Sequence, residues 1–263
     1  MKSLYESILS STNAGKASII KAWLDEHNIK NYTINYKGEI DVDGDVDLSE
    51  CGLTEFPSFI QFGVVKGNFI CNFSGLTTLK GSPKTVGGGF FCFNNHLTSL
   101  EESPIEVGDR FDCSGNNLRD LKGAPKIIKG KFYCNGNNLT SLEGAPKKVE
   151  KGFYCNYNNL TSLKGAPKEV GGDFNCSNNN LTSLEGAPNR IRGDFDCHNN
   201  KLTSLEGAPI EVGGFFDCSE NKLVSIEGAP KKVGVDFYCN SNRAKFTEDD
   251  VNKVCNVKKD IYV

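Results

Sequence analysis

The stretch Asp173-Phe-Asn-Cys-Ser-Asn-Asn-Asn-Leu-Thr-Ser-Leu-Glu-Gly-Ala-Pro188 recurs along the chain with few changes, and its cysteine returns every 21 residues at Cys71, Cys92, Cys113, Cys134, Cys155, Cys176, Cys197, Cys218 and Cys239. A fixed period of this size marks a solenoid, in which each copy is one turn that cannot bury its apolar face alone and must stack on its neighbours. Phe174 and Cys176 alternate with Asp173, Asn175 and Ser177, the two-residue period of a strand with one face inward. Stacked copies predict a parallel sheet with an inner column of Phe and Cys.

Three residues after the cysteine stands an asparagine, at Asn95, Asn116, Asn137, Asn158, Asn179, Asn200, Asn221 and Asn242. Its amide both donates and accepts, so a buried ladder of Asn can satisfy a turning backbone. Leu181 and Leu184 are expected to close the core on the far side. Ala187-Pro188 and Ile191 read as an extended return segment, too short and Pro-marked for a helix, so the convex side is expected to be mostly irregular. Each buried Phe, Leu, Val or Ile is worth roughly 1.5–3 kcal/mol before conformational entropy is charged, and no single copy is expected to fold alone.

Phe174-x-Cys-x-x-Asn-x-Leu-Thr-Ser-Leu resembles the leucine-rich-repeat signature LxxLxLxxNxL, with Phe and Cys in the strand positions and Val170 standing for the leading Leu, displaced by one residue. Ala-Pro-Lys-Glu-Val and Leu-Thr-Ser-Leu-Glu parallel the phrases of the short YopM/IpaH-type bacterial repeats, and an extra residue within Gly171-Gly172-Asp173 makes the period 21. The wording is also similar to 21-residue repeat proteins of bacteriophages and gut bacteria, and Lys2-Ser-Leu-Tyr-Glu-Ser-Ile-Leu resembles an opening of some phage proteins. The resemblance covers about two thirds of the chain. It implies a leucine-rich-repeat solenoid with a curved parallel sheet on its concave face, which binds partners through that face. The catalytic domain that follows the repeats of the IpaH-like ubiquitin ligases is not carried over, since only about twenty residues follow the last copy.

Four regions follow. Residues 1–30 form an N-terminal helical segment with short helices over 3–9 and 16–27, the second burying Ile19, Ile20, Trp23 and Leu24. Residues 31–65 form a β-rich cap with turns at Lys37-Gly38 and Asp43-Gly44, then a divergent first repeat in which Cys51 falls in the Asn position. Residues 66–242 hold the regular repeats, and residues 243–263 a C-terminal cap of helix plus strand.

A net charge of −3 argues against a phosphate-binding surface, because nucleic-acid affinity needs clustered Lys and Arg. No apolar run approaches the length that crosses a bilayer. The odd count of 11 cysteines, spaced by the repeat, fits a reducing compartment better than a disulfide framework. A cytoplasmic monomer in a bacterial or phage-infected cell, with virion association as an alternative location, is the expectation.

No catalytic, cofactor or metal site is expected. Neighbouring cysteine rungs lie roughly 4.8 Å apart in a line, whereas zinc needs four ligands converging at about 2.3 Å. Buried cysteines act as small, protonated hydrophobes, leaving Cys51 and Cys255 as the candidates for reactivity. His27, His96 and His198 share no nucleophile or acid and read as isolated surface residues. Lys16 in Asn13-Ala-Gly-Lys-Ala-Ser18 lacks the upstream Gly and strand of a phosphate loop. The run Asp41-Val-Asp-Gly-Asp-Val-Asp47 misplaces its Gly for a calcium loop and lacks the twelfth-position Glu, so it reads as solvent-facing Asp alternating with buried Val.

The variable strand positions are free of the core and divide into two zones. Phe73, Phe91, Phe93, Tyr133, Tyr154 and Tyr157 form an aromatic zone suited to protein recognition. Asp173, Asp194, Asp196, Asp217 and Asp236 form an acidic zone whose carboxylates would repel one another without a cationic complement. The predicted function is a non-enzymatic protein-binding module that engages a protein with a basic and apolar surface. The alternative is a structural or virion-associated spacer or adhesin anchored by its N-terminal helices.

Overall fold

A computed structural model describes residues 13–263; the helix expected over residues 3–9 lies outside the described residues. The chain is a parallel β-solenoid of about eleven turns. Eleven two-residue strands form one continuous ladder, from Val46–Asp47 through Phe69–Ile70 and the repeated Phe strands to Phe237–Tyr238 and Ile261–Tyr262. Its register follows the sequence period, as in Phe153↔Phe174 and Phe174↔Phe195. The bonding continues one residue further, since the cysteine N–H also reaches the next turn, as from Cys155 to the Asn175 carbonyl at 2.8 Å.

The return segment, expected to be extended, pairs at its valine position into a second ladder, which corrects the expectation of a mostly irregular convex side. Strands such as Glu169–Val170, Arg190–Ile191 and Glu211–Val212 pair in parallel, in two six-stranded sheets that meet between Ile127–Ile128 and Lys148–Val149. From Thr85–Val86 onward only two residues per turn are extended there, and the N–H just beyond the strand still finds the previous turn, as from Gly213 to the Ile191 carbonyl at 2.9 Å. The remaining arm, Leu-Thr-Ser-Leu-Glu-Gly-Ala-Pro, holds no strand. Its turn favours glycine: Gly186 has φ +97°, and a Cβ there would lie 2.7 Å from the Leu163 carbonyl oxygen, although one copy holds Glu102 at this position with φ 66°.

Phe, Cys, two Leu and a Val or Ile fill the interior of the regular turns, with Ile226 replacing one Leu; Phe174, Cys176, Leu181 and Leu184 are fully buried. The phenyl rings form one column, with centroids 5.5 Å apart and planes within 8° for Phe90 and Phe111, the offset stacking that aromatic quadrupoles favour. Beside them, each Asn spans two turns. Asn158 accepts the Leu139 N–H at 3.0 Å and donates to the carbonyls of Cys134 and Cys155 at 3.1 Å each. All eight asparagines repeat this pattern. The column begins with Ser74, whose hydroxyl donates to the Leu48 carbonyl at 2.9 Å.

At the start of the stack, helix α1 (Asn13–Glu26) buries Ile20, Trp23 and Leu24. Ile19 is half-buried, and Trp23 meets Phe62 edge-on at 6.4 Å. Tyr32–Ile34 and Ile40–Val42 form an antiparallel hairpin that opens the valine ladder. The Asp run feeds the next turn: Asp41 accepts the Val64 N–H at 2.7 Å and Asp45 that of Asn68 at 2.6 Å, while Val42 and Val46 are buried. At the far end, helix α2 (Glu248–Val254) is capped by Thr247 and Asp250, and Ile261 then takes the Phe register opposite Phe237.

Removing the Asn158 amide leaves the buried Leu139 N–H unpaired, at about 1–3 kcal/mol, and takes one of two Asn donors from each of the Cys134 and Cys155 carbonyls. Asn158→Ala is therefore expected to lower stability by about 2–4 kcal/mol, read from its urea unfolding curve. A loss below about 1 kcal/mol would contradict the bridging role.

Candidate binding surface

The outer face of the Phe ladder carries three side-chain columns per turn: the residue before Phe, the one between Phe and Cys, and the one after Cys. In the aromatic zone these columns interlock. Tyr133 and Tyr154 stack at 4.4 Å with planes within 5°. The Arg110 guanidinium lies 4.1 Å from the Tyr133 ring centroid and 5.6 Å from that of Phe91, and it pairs with the buried Asp112 carboxylate. Lys131 sits 5.4 Å from the Tyr154 ring. Phe91 and Tyr154 lie over glycines: a Cβ on Gly89 would be 2.5 Å from the Phe91 ring, and one on Gly152 would be 2.7 Å from that of Tyr154. Arg110 and Lys131 were missing from the sequence reading, although they occupy the column in which later copies place Asp173 and Asp194.

Phe73 and Tyr157 are different. They are 53% and 62% exposed and occupy the left-handed position at the end of the strand, with φ of 54° and 53°. Other copies place Asn94, Gly115, Gly136, Asn178, Asn199, Glu220 or Ser241 there, five of these seven being Asn or Gly, the residue types that best tolerate this conformation. Phe93 packs edge-on against Phe73 at 5.4 Å. Aromatics also return at the C-terminal end, where Tyr238 stacks on Tyr262 at 4.5 Å and meets Phe215 at 6.1 Å. The surface is thus aromatic at both ends, which amends the two-zone division.

The acidic zone is tied into the backbone. Asp173 accepts the Asp194 N–H at 3.2 Å and the Tyr154 hydroxyl at 2.7 Å. Asp194 accepts the Phe215 N–H at 2.9 Å, and Asp236 that of Asp260 at 3.2 Å. These carboxylates cap the corner between the two ladders, one turn ahead. Asp217 instead serves its own strand end, accepting from the N–H and hydroxyl of Ser219 at 2.9 and 2.6 Å. Burial, with the Asp173 charge adding, raises the Asp194 carboxyl above its ordinary value against the Phe215 bond. Burial likewise raises Asp196, with Asp217 adding and the bonds from His198 opposing. Within this zone and among the described residues, the one ion-pair contact is that of Asp196 with His198.

The outer face of the valine ladder contrasts with this. Its charges alternate and pair across strands, as in Lys129–Glu106 at 2.8 Å, Lys148–Glu169 at 3.8 Å and Arg190–Glu211 at 3.2 Å.

His198 is not isolated, a second amendment. Its Nδ1 is 2.7 Å from Asp196 Oδ1, its Nε2 is 3.1 Å from the Asn178 amide nitrogen, and ligand atoms of Asp196, His198 and Asp217 all lie within 4.8 Å of one another. His27 stacks on Trp23 at 4.1 Å and contacts its carbonyl at 2.8 Å. No helix among the described residues is long and apolar enough to cross a membrane. No protein-family model and no curated protein matches the chain.

Of the two cysteines outside the ladder, Cys51 is exposed and Cys255 buried. Burial pushes the Cys255 thiol up to about 11 and the thiols of Cys92 to Cys218 well above the ordinary range. Several ladder thiols are held by carbonyls, as Cys197 by Asp217 at 3.1 Å. A disulfide reagent at pH 8 is expected to label one thiol per folded chain, Cys51, and the rest only in denaturant. Prompt labelling of three or more would contradict the burial of the ladder.

Proposed function

We propose that this chain is a non-enzymatic protein-binding module of the leucine-rich-repeat class, of the short bacterial or phage type, and that it engages its partner with the outer face of the Phe ladder. The observation that carries this reading is the pair of exposed aromatic rings held at positive φ. Left-handed backbone costs an L-residue roughly 1–2 kcal/mol, and Tyr157, more than half exposed, regains little of that by packing. Strain kept at the surface is a mark of binding sites. The leucine-rich assignment rests on the Phe-x-Cys-x-x-Asn-x-Leu grammar and its Asn ladder; the second ladder at the valine position is a departure from that pattern.

The partner's chemistry follows from the same face. Exposed rings offer rigid apolar contact area, and the acidic zone, without a Lys or Arg of its own, complements a basic surface. The rungs of Phe73 and Asp236 are eight apart, about 38 Å at the parallel-strand spacing, long enough for an extended segment or a helix of a partner protein.

Asn is the residue that Asn178 and Asn199 already place at the strained position, so Phe73→Asn and Tyr157→Asn test binding without endangering the fold. Each is expected to raise stability by about 1 kcal/mol. Peptides selected from a random display library on the full chain are expected to be basic and apolar, and to lose at least about tenfold in affinity for the double variant, the 1.4 kcal/mol that one anchor residue supplies. Failure to enrich such peptides, or equal binding by the variant, would overturn the reading.

A further inference from the structure

We infer that Asp196, His198 and Asp217 form a binding site for one first-row divalent transition-metal ion. Asp196 and Asp217 are register partners on adjacent strands, and His198 follows Asp196 by two residues, so the strand period sets all three on the same outer face. Their ligand atoms lie within 4.8 Å of one another. An ion bonding at about 2.0–2.2 Å closes such a set by side-chain rotation on a rigid sheet. Each carboxylate keeps capacity for it: Asp217 spends Oδ1 on Ser219, while Asp196 has Oδ1 toward His198 and Oδ2 toward the Asn175 amide at 3.0 Å. Two carboxylates and a divalent ion sum to zero charge, in a zone that no Lys or Arg neutralises.

The choice of residues is independent of the fold's needs. The bond that His198 makes to Asp196 is made by Ser114 to Asp112, by Ser177 to Asn175 and by Ser219 to Asp217, so serine would serve the backbone equally. Histidine stands in this column once, and it stands on the one rung whose Asp between Phe and Cys faces another Asp in the same column on the next. An imidazole beside two carboxylates favours zinc, cobalt or manganese over the calcium and magnesium that all-oxygen sites take. With the ion on Nδ1, the ring proton moves to Nε2, and the Asn178 amide accepts it by turning about its last bond, the exposed Asn199 amide that now donates to Asn178 at 2.7 Å turning with it; such an outer hydrogen bond orients metal-bound histidines. Three protein ligands leave the remaining positions to solvent, as in open zinc sites.

The site lies on the proposed binding face but does not rest on peptide binding, and it is tested with the protein alone. Zinc and cobalt(II) are titrated calorimetrically and by visible absorption into the full chain and its Cys51→Ser variant, which removes the exposed thiol. The expected result is one ion per chain in both, with a cobalt spectrum free of thiolate charge transfer. His198→Ser, the residue that neighbouring copies carry, and Asp217→Asn are each expected to weaken binding by about tenfold or more, with His198→Ser leaving the ion-free unfolding curve unchanged. Absence of stoichiometric binding, a thiolate band, or affinity unchanged in His198→Ser would overturn the proposal.

Discussion

Everything in this solenoid depends on the asparagine that ties each turn to the one before it. A chain that reverses direction every few residues exposes backbone groups at its corners, and burying them unpaired would cost about 1–3 kcal/mol apiece. The Asn amide answers three at once: the Leu N–H of the previous turn and the Cys carbonyls on both sides of the gap. Strand length can then shrink to two residues, because the corner no longer has to be solvated. The Phe column and the paired Leu supply the burial energy, and the Asn column fixes the register at which that burial occurs.

With the interior specified so completely, the outer face is free to vary, and its variation has two kinds. Some residues serve the backbone from outside, as the carboxylates of Asp173, Asp194 and Asp236 do by accepting an N–H from the following turn. Others are held out toward solvent: Phe73 and Tyr157 are more than half exposed, in a conformation better suited to Asn or Gly. The valine ladder's outer face pairs its charges across strands, whereas the Phe ladder's acidic zone has, among the described residues, one ion-pair contact, that of His198.

The sequence made the period, the inward Phe and Cys and the role of the Asn legible, because each is a strict pattern with one physical solution. The valine ladder was not legible: two extended residues between a Pro and a corner carry no alternation to detect. Asp173 and Asp194 read as repelling charges because their bonds run to backbone of the next turn, where sequence shows only spacing. Arg110 was overlooked since its meaning lies in the two rings it spans, Phe91 and Tyr133, on rungs to either side. His198 looked solitary for the same reason, as Asp217 becomes its neighbour only through the strand register.

The most direct test of the Asn bridge is native-state hydrogen exchange at the leucine amides that it captures, Leu97, Leu118, Leu139, Leu160, Leu181 and Leu202. These positions lie outside any strand, so their protection reports the side-chain bond alone. Protection matching that of the backbone-bonded amides of Cys113, Cys134 and Cys155, just beyond the strands, is the predicted result. Exchange as fast as that of the exposed Thr and Ser of the same arm would contradict the account.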